Sequence, residues 1–125
     1  MKNKELKRLI PCLFNKDNFL IRSKQFYLHQ NIGNFINQAQ RFFEWNVDEL
    51  IYINLGQNNQ INEINKKKIV KIIEIISKKC FLPLTVGGKI TNMSQAEMLI
   101  RNGADKLVIN SSIYKNSQLI RMVTN

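Results

Sequence analysis

The chain has 125 residues, 44% of them hydrophobic and 22% charged, which suits one globular domain and excludes both a multidomain assembly and a disordered segment. Its formal net charge is +10, from 19 basic and 9 acidic residues, and this favours an anionic ligand or an acidic partner. No apolar run approaches the ~20 residues of a membrane span, and the basic start followed by a short apolar stretch lacks the length and cleavage site of a signal peptide.

The segment Arg8-Leu9-Ile10-Pro11-Cys12-Leu13-Phe14 reads as a first strand. Asn15 to Asn18 is turn-rich, and Phe19-Leu20-Ile21 reads as a short hairpin arm. Residues 22–31 show no clean period and read as a loop. A first helix is expected over Gly33 to Asn46, with Phe35, Ala39, Phe42 and Phe43 at helical spacing. Glu49 to Leu55 is a second strand, followed by the polar loop Gly56 to Gln60. The second helix is expected from Ile61 to Lys79, with Ile69, Ile72, Ile73 and Ile76 as its apolar stripe and lysines opposite.

From Cys80 to Ser111 the pattern is the most regular in the chain. A strand over Phe81 to Val86 ends in Gly87-Gly88. A helix follows, with Ser94 as expected N-cap and Glu97 completing a capping box, and it closes at Gly103. A fourth strand, Lys106 to Asn110, leads into Ser111, and a last helix begins after Ser117. Strand, glycine turn, helix and strand in about thirty residues form a parallel βαβ unit. The whole chain therefore reads as α/β, a (β/α)4 array in a single domain spanning residues 1–125. Four such units make a small open sheet or half of an eight-stranded barrel, which needs ~250 residues when closed.

Four spaced motifs carry a resemblance. They are Arg8-Leu9-Ile10-Pro11-Cys12-Leu13, Val47-Asp48-Glu49-Leu50, Pro83-Leu84-Thr85-Val86-Gly87-Gly88, and Gly103-Ala104-Asp105-Lys106 through Ile109-Asn110-Ser111. Together they resemble the N-terminal half of the HisF family, the cyclase subunit of imidazole glycerol phosphate synthase. The resemblance implies the N-terminal half of a TIM-type (β/α)8 barrel, fed with ammonia by a HisH-like glutaminase. It places a catalytic aspartate after Cys12-Leu13, where this chain has Phe14, and another aspartate near the end of the second strand, where it has Asn54. A phenyl ring exchanges no proton, so the resemblance implies a frame kept without these carboxylates. The segments Asn31 to Ile36 and Val47 to Leu50 are closest to a HisF-like branch associated with glycosyl amidation in surface-polysaccharide synthesis. That branch implies passage of ammonia to an amidotransferase. The alternative is a truncated or diverged cyclase of histidine biosynthesis.

Arg8, Glu49 and Lys106 each open a predicted strand and so meet at the amino-terminal end of a parallel sheet. The resemblance makes them an ammonia gate; a structural salt-bridge ring is the plain alternative. At the other end, Gly87, Gly88, Asn110 and Ser111 are placed to cradle a phosphate, with Lys89 where the resemblance implies a third glycine. Asp105 precedes an inward lysine, so alternation turns it outward as an anchor for the docking glutaminase. An open half-barrel is expected to pair, as a homodimer or with a complementary half. The lysines are scattered apart from Lys66 to Lys68 and Lys78-Lys79, without aromatic interleaving, which argues against a nucleic-acid interface. Cys12 and Cys80 are too few for a disulfide framework or metal site and read as buried thiols of a cytoplasmic protein. His29, without a companion motif, reads as a surface residue, and nothing in the sequence asks for a cofactor.

Overall fold

A computed structural model describes residues 5–17, 19–25, 27–56 and 63–124. Six strands form one sheet in the order β3-β2-β1-β4-β5-β6. The strands are β1 (Cys12–Lys16), β2 (Phe19–Lys24), β3 (Leu28–Asn34), β4 (Leu50–Asn54), β5 (Leu84–Gly87) and β6 (Lys106–Val108). The pairs β1–β4, β4–β5 and β5–β6 are parallel. The helices are α1 (Phe35–Glu44), α2 (Glu63–Ile75), α3 (Met93–Arg101), α4 (Ser111–Lys115) and α5 (Gln118–Thr124), and α2 runs into a π-helical turn, Ile76–Cys80. The four parallel strands and their crossovers are the expected (β/α)4 half-barrel.

Residues 22–24 and 28–31, expected as loop, are strand. β2 continues to Lys24 and β3 returns antiparallel to it through Asn34. Every residue of β3 is exposed, so no inside–outside alternation marks it in the sequence. His29 lies on this exposed strand. The register shifts between Leu20 and Ile21, opposite Gly33 at φ +136°. This bulge turns the strand into α1, which Asn34 caps by accepting from the N–H groups of Ile36 and Asn37. An open half-barrel of four strands would leave its first and fourth strands as edges, and the hairpin changes the first of these. β2 pairs with residues 14–16 of β1, so the sheet ends at β3 and β6.

One face of the parallel strands meets the helices. Leu50, Tyr52, Leu84 and Val86 alternate inward on β4 and β5 and pack with Phe35, Ala39, Ile73, Ile76 and Leu99 from the helices. Phe35 and Tyr52 meet edge to face with ring centroids 4.7 Å apart. Fully burying a side chain of this kind contributes roughly 1.5–3 kcal/mol, so the sheet is anchored mainly from β4 and β5. Burial raises the Tyr52 hydroxyl to a pKa of about 12.

Two halves of the array repeat one device. Asp48 donates its N–H to the Leu9 carbonyl and accepts from the Leu9 N–H through Oδ2. Asp105 donates to the Leu84 carbonyl at 2.8 Å and accepts from the Leu84 N–H at 2.7 Å. In both units an aspartate before the second strand ties down the start of the first, and this fixes the floor of the sheet.

Several expected boundaries shift for local reasons. Arg8 precedes β1 rather than lying in it. Phe81 stands at φ +50° as the cap of the π-helical turn, so β5 starts at Leu84. The N-cap of α3 is Asn92, not Ser94: its side chain accepts from Gln95 N–H, and Gln95 Oε1 reaches back to the Thr91 N–H at 2.8 Å. Asn and Gln thus perform the reciprocal capping expected of Ser94 and Glu97. Ser111 begins the unexpected short helix α4, with Asn110 at its N-cap position but without a side-chain capping bond, and β6 ends at Val108. The loop over 57–60 and the start of the second helix at Ile61 lie outside the described residues.

Candidate functional site

The opposite face of the parallel strands carries the second alternating set. Cys12, Ile51, Thr85 and Lys106 pair across the four strands in one row, and Phe14, Ile53, Gly87 and Val108 in the next. Gly87 makes the second row possible. A Cβ there would lie 2.8 Å from the Val108 Cβ and 3.1 Å from Ile53 Cδ1. Cys12 is exposed on this face rather than buried, because no helix covers it, whereas Cys80 is buried as expected.

At the amino-terminal end the three expected charges come together. Arg8 Nη2 bonds Glu49 Oε1, and Lys106 Nζ lies 3.3 Å from both Glu49 oxygens. The Glu49 side chain is only 8% exposed, against 57% for Arg8 and 62% for Lys106. A buried anion is therefore held between two solvent-reaching cations. The Arg8 hydrogen bond, reinforced by Lys106 against the cost of burial, holds the Glu49 carboxyl below its ordinary value of 4.5. Asp105 is also at this end, but its carboxylate is engaged by the Leu84 N–H. The outward orientation expected from alternation omits that tie.

The carboxyl-terminal end opens into a cavity of about 680 Å³. Gly88, Asn110 and Ser111 line it as expected, together with Lys89, and Gly87 lies in the floor row just beneath. Gly88 has φ +91°, and a Cβ there would fall 2.1 Å from the Asn54 carbonyl oxygen, so only glycine fits. Phe14, Ile53 and Val108 supply apolar wall, and Thr91, Ser112 and Lys115 polar wall. Sequence reading missed these last three. Ser111 and Lys115 stand four apart, a helical spacing that marks one face once α4 is recognised. Ser112 donates its hydroxyl to the Ile90 carbonyl and ties α4 to the glycine turn.

Asn54 shares the helix-facing side of β4 with Leu50 and Tyr52, and its Oδ1 accepts from the Gly56 N–H. Phe14 and Asn54 both line the cavity, so the two positions where the resemblance implies an aspartate both belong to its wall. No Asp, Glu or His is among the described residues lining the cavity. No cluster of described residues offers three or more metal-ligating His, Cys, Asp or Glu, and no helix among them is long and apolar enough to cross a membrane.

A half-barrel with paired charges at its floor and a ligand-sized cavity at its strand ends defines the chain as one half of a barrel of the (β/α)8 type. Residues 8–125 match the histidine biosynthesis protein family. HisF, the imidazole glycerol phosphate synthase subunit of Staphylococcus epidermidis, is 36% identical over 118 residues, covering 94% of this chain and 45% of the relative. HisF of Staphylococcus aureus strain Newman is 34% identical over 119 residues, covering 95% and 46%. The chain belongs to this family, and it spans about 45% of the length of the HisF relatives it matches.

Proposed function

We propose that this chain is a diverged HisF-type half-barrel of the histidine pathway that takes ammonia at its floor from a HisH-like glutaminase. The observation that carries the reading is the Arg8–Glu49–Lys106 cluster, set beneath two lumen rows whose side chains are mostly uncharged. Such rows suit a neutral molecule, and a charged floor excludes bulk passage while its pairing holds. Phe14 removes the strand-1 carboxylate, so proton transfer in cyclisation has no donor or acceptor from this half. A second catalytic aspartate, which the family resemblance assigns to the C-terminal half, would come from a complementary half, a second chain or the remainder of a longer one, paired along the β6 edge. A homodimer is the alternative that satisfies the same edge.

A second reading has its own support. Phe14 and Asn54, which line the cavity in place of two carboxylates, fit a subunit that only conducts ammonia, as expected for amidation of a surface-polysaccharide sugar through a separate amidotransferase. The names of the relatives favour the histidine pathway.

Glutaminase binding and glutamine turnover, measured together, test the floor. Lys106→Met is expected to keep docking and to uncouple glutamine hydrolysis from ammonia use. Asp105→Asn keeps an oxygen for the Leu84 N–H and removes the charge, so it isolates docking from folding. It is expected to weaken association severalfold. Parent-like docking and coupling in both variants would remove the floor's assigned role.

A further inference from the structure

The two edges of the sheet are guarded unequally. β6 is three residues long and opens with Lys106, and a short, charged edge discourages pairing. β3 is seven residues long, and every one of them is exposed. Among the described residues it pairs with β2 alone, so the backbone groups of its other side have no strand to meet. None of its residues is Lys, Arg, Asp, Glu or Pro, the types that block such an edge. Its bulge lies beside Gly33 at the α1 end and leaves residues 28–31 in regular register with β2.

The side chains of β3 suit a second copy of the same strand. Alternation puts Leu28, Gln30 and Ile32 on one face. Leu28 is 61% exposed and Ile32 52%. A second β3 laid antiparallel about Gln30 sets Leu28 against the second copy's Ile32, twice by symmetry, and Gln30 against itself. Cross-strand apolar pairs of this kind are the stabilising units of a sheet. Charge selects the same occupant. Each chain carries +10, so two copies repel and meet best where neither brings charge. An uncharged strand of seven residues is such a place in a chain with 22% charged residues. Arg22 and Lys24 lie on β2, one strand in from the edge. An acidic partner finds no cation on β3 itself.

We propose that two copies of this chain associate through β3, antiparallel about Gln30, into one continuous sheet. The contact uses the edge remote from β6 and leaves β6 to a complementary half, so it does not rest on the ammonia reading. One strand pair is a small interface, so the dimer is concentration-dependent.

Sedimentation equilibrium of the full chain over a range of concentrations tests it, in the parent and in Gln30→Lys. The parent is expected to dimerise, and more tightly as ionic strength rises, because salt screens the repulsion between two basic chains. Gln30→Lys opposes two ammonium groups at the axis and is expected to raise the dissociation constant about tenfold or more. Gln30 is exposed, so the dilute variant is expected to melt like the parent. Oxidative cross-linking locates the contact, in a Cys12→Ser background because Cys12 is exposed. Gln30→Cys is expected to cross-link with itself, since directly opposed residues come within disulfide reach, and Leu28→Cys is not. A parent that stays monomeric at every concentration would overturn the second copy as the occupant. Parent-like dimerisation of Gln30→Lys, or no cross-link through position 30, would remove the contact from β3 and overturn the proposal. Loosening by salt would overturn the uncharged contact, and a Leu28→Cys cross-link with itself the register about Gln30.

Discussion

The two ends of the parallel sheet are built on opposite electrostatic plans. At the floor a buried carboxylate is saturated by two cations, Arg8 and Lys106 around Glu49. At the strand ends two lysines line a cavity with no carboxylate among its described lining residues. A saturated cluster holds geometry and resists titration, whereas unopposed cations wait for an anion from outside. The floor is therefore suited to gating or structure, the top to binding, and neither, as built, offers a cavity-facing carboxylate for acid–base chemistry. Between them lie the rows from Cys12 and Ile51 to Phe14 and Val108, whose charge is Lys106 of the floor cluster itself.

The largest expected effect comes from breaking the top. Gly88→Ala forces a Cβ against the Asn54 carbonyl at positive φ. A loss on the order of 3 kcal/mol or more is expected, read by denaturant unfolding. Parent-like stability would mean that the turn relaxes and the cavity rim is not fixed by this contact. Next is the floor. Glu49→Gln leaves Arg8 and Lys106 facing each other without an anion and is expected to lower the melting temperature measurably, with Lys106→Met added to Glu49→Gln recovering part of the loss. Additive losses in that double variant would show that the cluster does not act as a unit.

A smaller effect separates the ends by pH. The folded carboxyl of Glu49 is held below its unfolded value, so its contribution to stability is present above about 4.5 and is lost as pH falls through the folded value. Acid titration of stability should therefore show a component that disappears in Glu49→Gln. A Lys89→Gly variant should keep it, because Lys89 lies at the other end. Identical acid profiles in parent and Glu49→Gln would place the floor's contribution elsewhere.

Much of this contrast was legible in the sequence. The strand starts placed Arg8, Glu49 and Lys106 together, because parallel strands share their ends. The hairpin β2–β3 was not legible, since a wholly exposed strand has no periodic signal. The cap of α3 was misplaced because Ser94 and Glu97 fit the favoured pattern while Asn92 and Gln95 make the bonds. Asp105 could be assigned a direction from alternation, but its bond to the Leu84 N–H depends on a partner 21 residues away. The left-handed backbone of Lys89 has no signature in a lysine, and Lys115 joins the cavity only through a helix of five residues.

The central claim is that this half-barrel can deliver ammonia without performing the acid–base step. One reconstitution tests it most directly. The chain is combined with a glutaminase and a matching C-terminal HisF half, and glutamine hydrolysis and imidazole-ring formation are followed together. The account predicts stimulated hydrolysis with no ring formation in the parent, and ring formation appearing only with Phe14→Asp. Ring formation by the parent, or hydrolysis that the chain does not stimulate, would contradict it.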